Sequence, residues 1–349
     1  MNDETKIHKR LLIRVLVSPQ IGLGHVTRCR GVADVLSAKG WSIVWILNQE
    51  SSAYYHRLAL PGSAIIVPDT LDFSSEAPIW AETLTRSSEK SIVLLDGYLF
   101  DSAYLRSIQN MRVSLVLFDD FMYSEAAGAD LVINSSLLAK EADYEGWGVK
   151  KLLLGPRFAP VREEFLHQEK RPLRERNQFL VMFGGSDILD LTGQFISALK
   201  NLQWSHDIPV LLVTGAAYPN AEVVKHCLSN TKLPVTYRHN VENMAEVMGN
   251  SRVALSAAGS TLFELAVMGV PTISLIVADN QEQMAWEMRR RKWCVTFDAR
   301  KGLNWQSVLD ACISRWAEAP HEALTSVATG GWCDGLGLSR IAEAMEDLS

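Results

Sequence analysis

Short apolar, β-branched runs alternate along the whole chain with longer segments whose apolar positions recur at helical spacing, and each run ends in a small or polar cluster. Ile13, Val15 and Val17, with Leu12 and Leu16 between them, predict a strand buried on both faces. Val26, Cys29, Val32, Ala33 and Leu36 then follow helical spacing up to Gly40. Further strands are predicted over 41–47, 64–67, 91–95, 112–118, 129–133 and 152–154. After them, 157–177 is charged, carries Pro160 and Pro172, and shows no period, which predicts an interdomain linker. The pattern restarts at 178–183 with a strand, a Gly-Gly turn and a helix over 191–202. Strands are predicted again at 210–213, 235–237, 253–255, 272–277 and 294–297, with helices over 262–268 and 339–348. Alternation of this kind predicts an α/β chain of two doubly wound, Rossmann-like domains facing each other across a cleft: 1–156, the linker 157–177, and 178–349. The last helix is a candidate to pack back on the first domain.

Composition narrows the classes. A chain of 349 residues with 48% hydrophobic and 21% charged residues has material for two cores. No run approaches the ~18 apolar residues of a membrane span, and the first ten residues are polar with no signal-peptide core behind them. The expectation is a cytoplasmic protein without membrane insertion. Five scattered cysteines, none in Cys-x-x-Cys spacing, predict neither a disulfide framework nor a zinc site. A formal net charge of -6 argues against nucleic acid as partner, so an anionic ligand would be met by local amides and helix ends.

The chemistry is concentrated in the turns. Gly22-Leu23-Gly24-His25 is neither a dinucleotide fingerprint nor a phosphate loop, yet it delivers His25 to the first helical turn at the carboxyl end of the first strand. His25 reads either as a catalytic imidazole or as a helix-capping one. Cys29, four residues on, reads as a core residue, as a thiol partner of His25 or as half a metal site. Gly184-Gly185-Ser186-Asp187 and Ser256-Ala-Ala-Gly259-Ser260-Thr261 each set small and hydroxyl residues between a strand and a helix, which reads either as a tight turn with a Ser or Thr cap or as free amides for a phosphate; two of them in one domain favour a diphosphate. Glu264 stands in the first turn of the second of these helices, where a carboxylate reads either as a cap for the amides or as an acceptor for ribose hydroxyls. Asp279-Asn280-Gln281 follows a buried strand, with Asp279 either a helix cap or a ligand-side carboxylate. The basic run Arg289-Arg-Arg-Lys292 reads as a solvated helix face.

The ordered series Gly22-x-Gly24-His25-x-x-Arg28, Asp96-x-Tyr98, Asp119-Asp120, Leu154-Gly155-Pro156, Phe183-Gly-Gly-Ser-Asp187, Gly259-Ser-Thr-x-x-Glu264 and Ala278-Asp-Asn-Gln281 covers most of the chain. It resembles the pseudaminic acid pathway UDP-sugar hydrolase (PseG) family, itself similar to the GT-B glycosyltransferases. The resemblance implies hydrolysis of UDP-2,4-diacetamido-2,4,6-trideoxy-β-L-altropyranose by C–O cleavage with inversion, with no cofactor and no metal. It implies His25 as catalytic histidine, with Tyr98 and Asn280 in the catalytic set lining the sugar. Gly24, Gly184, Gly185, Ser186, Gly259, Ser260, Thr261 and Glu264 are implied for UDP, and Arg28 and Gln281 for the sugar. Two departures stand out: Ala258 where the family usually carries glycine, and Phe263 near where it usually has tryptophan. The Ala258 methyl narrows the approach to a phosphate.

The residues suggest a mechanism without the family. Diphosphate leaves readily, so the task is to cradle its charge and activate water on the opposite sugar face, with His25 as general base and domain closure completing the site. Two rivals remain: a GT-B glycosyltransferase, in which an acceptor hydroxyl replaces the water, and a sugar-nucleotide binder that needs no base.

Overall fold

The computed structural model describes residues 9–18, 23–70, 72–85, 90–120, 128–202, 204, 207–319 and 333–348. Gly22 of the glycine loop lies outside them. The chain divides into two units, 1–160 with 336–349, and 161–335.

In the first unit the order is β1 (Lys9–Val15), α1 (Gly24–Ala38), β2 (Ser42–Asn48), α2 (Gln49–Arg57), β3 (Ser63–Val67), α3 (Phe73–Thr85), β4 (Lys90–Asp96), α4 (Ser102–Asn110), β5 (Ser114–Phe118), β6 (Leu131–Asn134) and β7 (Lys151–Leu154). All seven strands are parallel, in the order β3-β2-β1-β4-β5-β6-β7. The strand period of two sorts β1 cleanly: Leu11, Ile13 and Val15 enter one buried layer, and Leu12 and Leu16 the other. Both layers are apolar because helices cover both faces of a parallel sheet.

The second unit opens with a short helix, α5 (Glu164–His167), followed by β8 (Gln178–Met182), α6 (Leu191–Asn201), β9 (Val210–Thr214), α7 (Ala221–Ser229), β10 (Val235–His239) and α8 (Met244–Gly249). It continues through β11 (Ser251–Ala257), α9 (Thr261–Val267), β12 (Thr272–Ile276), α10 (Glu282–Arg290), β13 (Cys294–Asp298) and α11 (Trp305–Glu318). Its six strands are again parallel, ordered β10-β9-β8-β11-β12-β13. The last helix, α12 (Gly337–Glu346), belongs to the first unit. Leu338, Ile341, Ala342 and Met345 join its core, and Leu338 fills the space a side chain at Gly31 of α1 would take. Gly337 itself abuts the backbone of Ala159, where a Cβ has no room.

The segment expected as a linker is folded instead. Residues 157–160 stay with the first unit and 161–177 with the second, where Phe165, Leu173 and Arg176 are buried. Arg176 donates to the backbone oxygens of Arg171 and Ser251, which straps the stretch to the start of β11. These three side chains are spaced too irregularly to register as a period.

In each sheet the strand order reverses beside the first strand, between β1 and β4 and between β8 and β11. Loops leaving the carboxyl ends of such neighbouring strands diverge and open a crevice, which is where open α/β sheets take ligands. The loop before His25, and the turns at Gly184 and Gly259, all leave from these strands. Among the described residues no helix is long and apolar enough to cross a membrane.

Candidate active site

His25 is the second residue of α1, and its ring is nearly buried. Its Nδ1 lies 2.6 Å from Oδ1 of Asp96, the last residue of β4, which the register places opposite Val15 of β1. A carboxylate can only accept, so the pairing assigns the proton to Nδ1 and the lone pair to Nε2, with Arg28 Nη2 also 3.1 Å from Nδ1. Arg28, one helical turn beyond His25, donates Nε to Asp96 Oδ2 at 2.6 Å and Nη2 to Asp96 Oδ1 at 2.6 Å. The same guanidinium reaches Asp120, after β5, through Nη1 at 2.7 Å and Nη2 at 3.0 Å. Tyr98 donates its hydroxyl to Asp120 Oδ2 at 2.8 Å and sets its ring edge-on to the imidazole, centroids 4.6 Å apart and planes at 77°. Arg28 also stacks over Phe118, 4.6 Å from the ring centre.

Arg28 is therefore spent on two carboxylates, where the resemblance implied a sugar ligand. Two acids, 68 and 92 positions away, claim its planar fork. Cys29 turns its thiol to Asp96 Oδ2 at 3.4 Å and is fully buried, and that burial, with the adjacent carboxylate, pushes the thiol well up. It is a neutral neighbour of the carboxylate, and the reading as a thiol partner of His25 finds no contact here.

Burial alone would raise the Asp96 carboxyl, but the charges and hydrogen bonds of Arg28 and His25 override it and hold it at about 2. A folded value below the ordinary 3.8 stabilises the protein above that ordinary value, and the contribution is lost as the pH falls towards about 2. A shift of this size is worth on the order of 2 kcal/mol. Urea unfolding at a series of pH values should thus show an acid-dependent loss of stability that is smaller in Asp96→Asn by about that amount. Equal acid dependence in the two proteins would remove Asp96 from this role.

In the second unit Gly184 has φ 88° with open space where a side chain would stand. Gly185 meets the backbone of Gly215 so closely that a Cβ on Gly215 would fall 2.5 Å from the Gly185 Cα. Behind Ser186, the first free amides of α6 have a partner within the chain. Asp187 accepts from the amides of Leu191 and Thr192 at 2.9 and 2.8 Å, so a carboxylate of the chain already caps α6. The turn at Ser260 differs: as N-cap of α9 it makes no side-chain cap hydrogen bond. Gly259 faces Gln281, whose Nε2 would lie 3.7 Å from a Cβ there, and Gln281 Oε1 accepts from the amide of Val277 at 3.0 Å. Thr261 and Glu264 follow on α9, so Gly259, Ser260, Thr261, Glu264 and Gln281 form one group.

Asn280 is exposed in the turn between β12 and α10. Its neighbour Asp279 pairs with Arg300 at 2.6 Å and caps no helix, while Arg300 also holds Glu282 and Asp298 at 2.8 and 2.7 Å. Sequence reading also missed Arg162, which donates Nε to Glu264 at 2.9 Å. Burial raises the Glu264 carboxyl, with Arg162 opposing it. Arg162 lay in the presumed linker, and nothing local in the sequence marked it as a partner of Glu264.

Residues 179–289 match the glycosyltransferase family 28 C-terminal domain. Over 82% of its length the chain is 25% identical to the UDP-2,4-diacetamido-2,4,6-trideoxy-β-L-altropyranose hydrolase of Campylobacter jejuni, covering 99% of that protein. Over 76% it is 24% identical to an uncharacterised protein of Methanocaldococcus jannaschii, of which it spans about half, 55%. Among solved structures it is similar to the Acinetobacter baumannii protein MurG, with a TM-score of 0.67 at 13% identity over 97% of this chain and 99% of that one. These matches support the resemblance to the PseG family and a GT-B-like fold of two Rossmann-like units. The hydrolase names among the relatives support an enzyme.

Proposed function

We propose that the protein hydrolyses a UDP-sugar of the 2,4-diacetamido-2,4,6-trideoxy-β-L-altropyranose type to UDP and the free sugar. The observation that carries this reading is the buried Asp96–His25 pair, which holds Nδ1 as donor and leaves Nε2 as base. Similarity along 82% of the chain to a hydrolase of that substrate supports the sugar.

In the proposed step His25 Nε2 takes a proton from water as the water oxygen bonds to the anomeric carbon. The C–O bond to the β-phosphate breaks, its electron pair leaves with UDP, and attack from the opposite face inverts the carbon. Asp96 stabilises the imidazolium that forms, and Tyr98 keeps the ring from turning. The second unit is assigned the nucleotide: Gly259, Ser260 and Thr261 at the start of α9 for the diphosphate, with Glu264 for the ribose. Gly184, Gly185 and Ser186 contribute as a close-approach turn rather than as a helix end. Asn280 and Gln281 are assigned the sugar, beside Gly259, and Arg28 becomes a positioning residue.

The match to a glycosyltransferase C-terminal domain favours one alternative, transfer to an acceptor hydroxyl. Incubation with the UDP-sugar and no acceptor separates the two. Equal amounts of UDP and free sugar are expected; UDP appearing only after an acceptor alcohol is added would make the protein a transferase.

A further inference from the structure

Two carboxylates share one guanidinium beneath His25. Asp96 and Asp120 each accept two hydrogen bonds from Arg28, whose side chain is 13% exposed. Two acids against one base leave one net negative charge beside the imidazole. The neighbouring Asp119 accepts instead from the Tyr144 hydroxyl at 2.8 Å. Among the described residues the titratable groups facing His25 are Arg28 and Cys29 of α1, Asp96 of β4, Tyr98 behind it and Asp120 behind β5. Cys29 stays a neutral thiol at this depth, and Tyr98 donates its hydroxyl hydrogen bond to Asp120.

We propose that Asp120 is a positioning residue for the His25 base: it supplies the excess negative charge through Arg28 and, through the Tyr98 hydroxyl, fixes the aromatic edge against the ring. The inference rests on reading His25 as the base of UDP-sugar hydrolysis. Asp96 alone would be neutralised by Arg28 and would offer little to a developing imidazolium. Asp120 takes up half of the guanidinium and so restores the Asp96 charge to the histidine. Burial works against ionisation of Asp120, and Arg28 overrides that and holds its carboxyl low, so the charge persists at neutral pH. Tyr98 then has two tasks, edge contact and charge-assisted donor, and only the first concerns shape.

The test compares Asp120→Asn, Asp120→Glu and Tyr98→Phe with the parent on the UDP-sugar. In Asp120→Asn kcat should fall about tenfold or more with KM nearly constant, and the acid limb of the kcat–pH profile should move down by roughly one unit. Asp120→Glu keeps the charge and should return the limb to its parental position, whereas Tyr98→Phe lowers kcat without moving the limb. A parental profile in Asp120→Asn, or a fall in kcat with the limb unmoved, overturns the proposal, since a merely structural role would lower the rate alone. Should the parent not turn over the UDP-sugar, the functional reading fails separately. Nitrogen NMR of the His25 ring then decides for Asp120: its second proton should bind at lower pH in Asp120→Asn than in the parent, and an unchanged midpoint overturns the proposal.

Discussion

His25→Asn is expected to lose about 10²- to 10⁴-fold in kcat while UDP binds as tightly as to the parent. That loss is about 3–5 kcal/mol of transition-state stabilisation. Asparagine can still present an N–H towards Asp96 Oδ1, where the imidazole Nδ1 now sits at 2.6 Å, so the buried carboxylate keeps a donor. It has nothing in place of the Nε2 lone pair. The residues proposed for the nucleotide lie in the other unit, where Glu264 has its own support in Arg162. Steady-state kinetics and calorimetric UDP titration read the two effects independently. Parental turnover in His25→Asn would take this residue out of the mechanism.

Glu76→Ala is expected to cost about 3–5 kcal/mol of stability, because it strands a cation in the core of the first unit. Arg14 and Glu76 are both fully buried, with Arg14 next to last in β1 and Glu76 in the first turn of α3. Glu76 accepts from Arg14 at 2.8 and 3.3 Å, from Trp80 Nε1 at 3.2 Å and from the Tyr104 hydroxyl at 2.6 Å. Arg14 also lies over Phe100, which closes on Gly97 in the loop that carries Tyr98. Removing both charges is a different matter: Arg14→Met with Glu76→Leu should recover most of the loss, since apolar replacements of a buried pair are often neutral. Urea unfolding of the two single variants and the double variant measures the cycle. A loss below about 1 kcal/mol in Glu76→Ala would mean that the core relaxes to solvate Arg14.

Arg14 also shows where the sequence was legible and where it was not. Its neighbours announce a doubly buried strand, and β1 is one; the cation in their midst announces only that a partner must exist. Which partner it is depends on α3 lying against β1, a tertiary fact 62 residues away. His25 was legible for a local reason, since a glycine turn after a buried strand puts the next side chain at the ligand-facing end. Its partner Asp96 could be seen as the acid ending a strand, but its role needed β4 to be the neighbour of β1. The carboxylate partners of Arg28 were hidden by the same logic: one turn from His25 it was bound to share its face, and only the sheet order brings Asp96 and Asp120 to that face. Asp187 shows the limit within a single turn, because a Gly-Gly-Ser-Asp sequence suits an anion cradle and a self-capped helix equally well. The structure shows the capping contacts, with Asp187 four and five residues from the amides it satisfies.

Hydrolysis in ¹⁸O-labelled water, with mass analysis of both products, tests the central claim most directly. If His25 directs water to the anomeric carbon, the label appears in the free sugar and the released UDP carries none. Label in the UDP would mean P–O cleavage and would contradict the account.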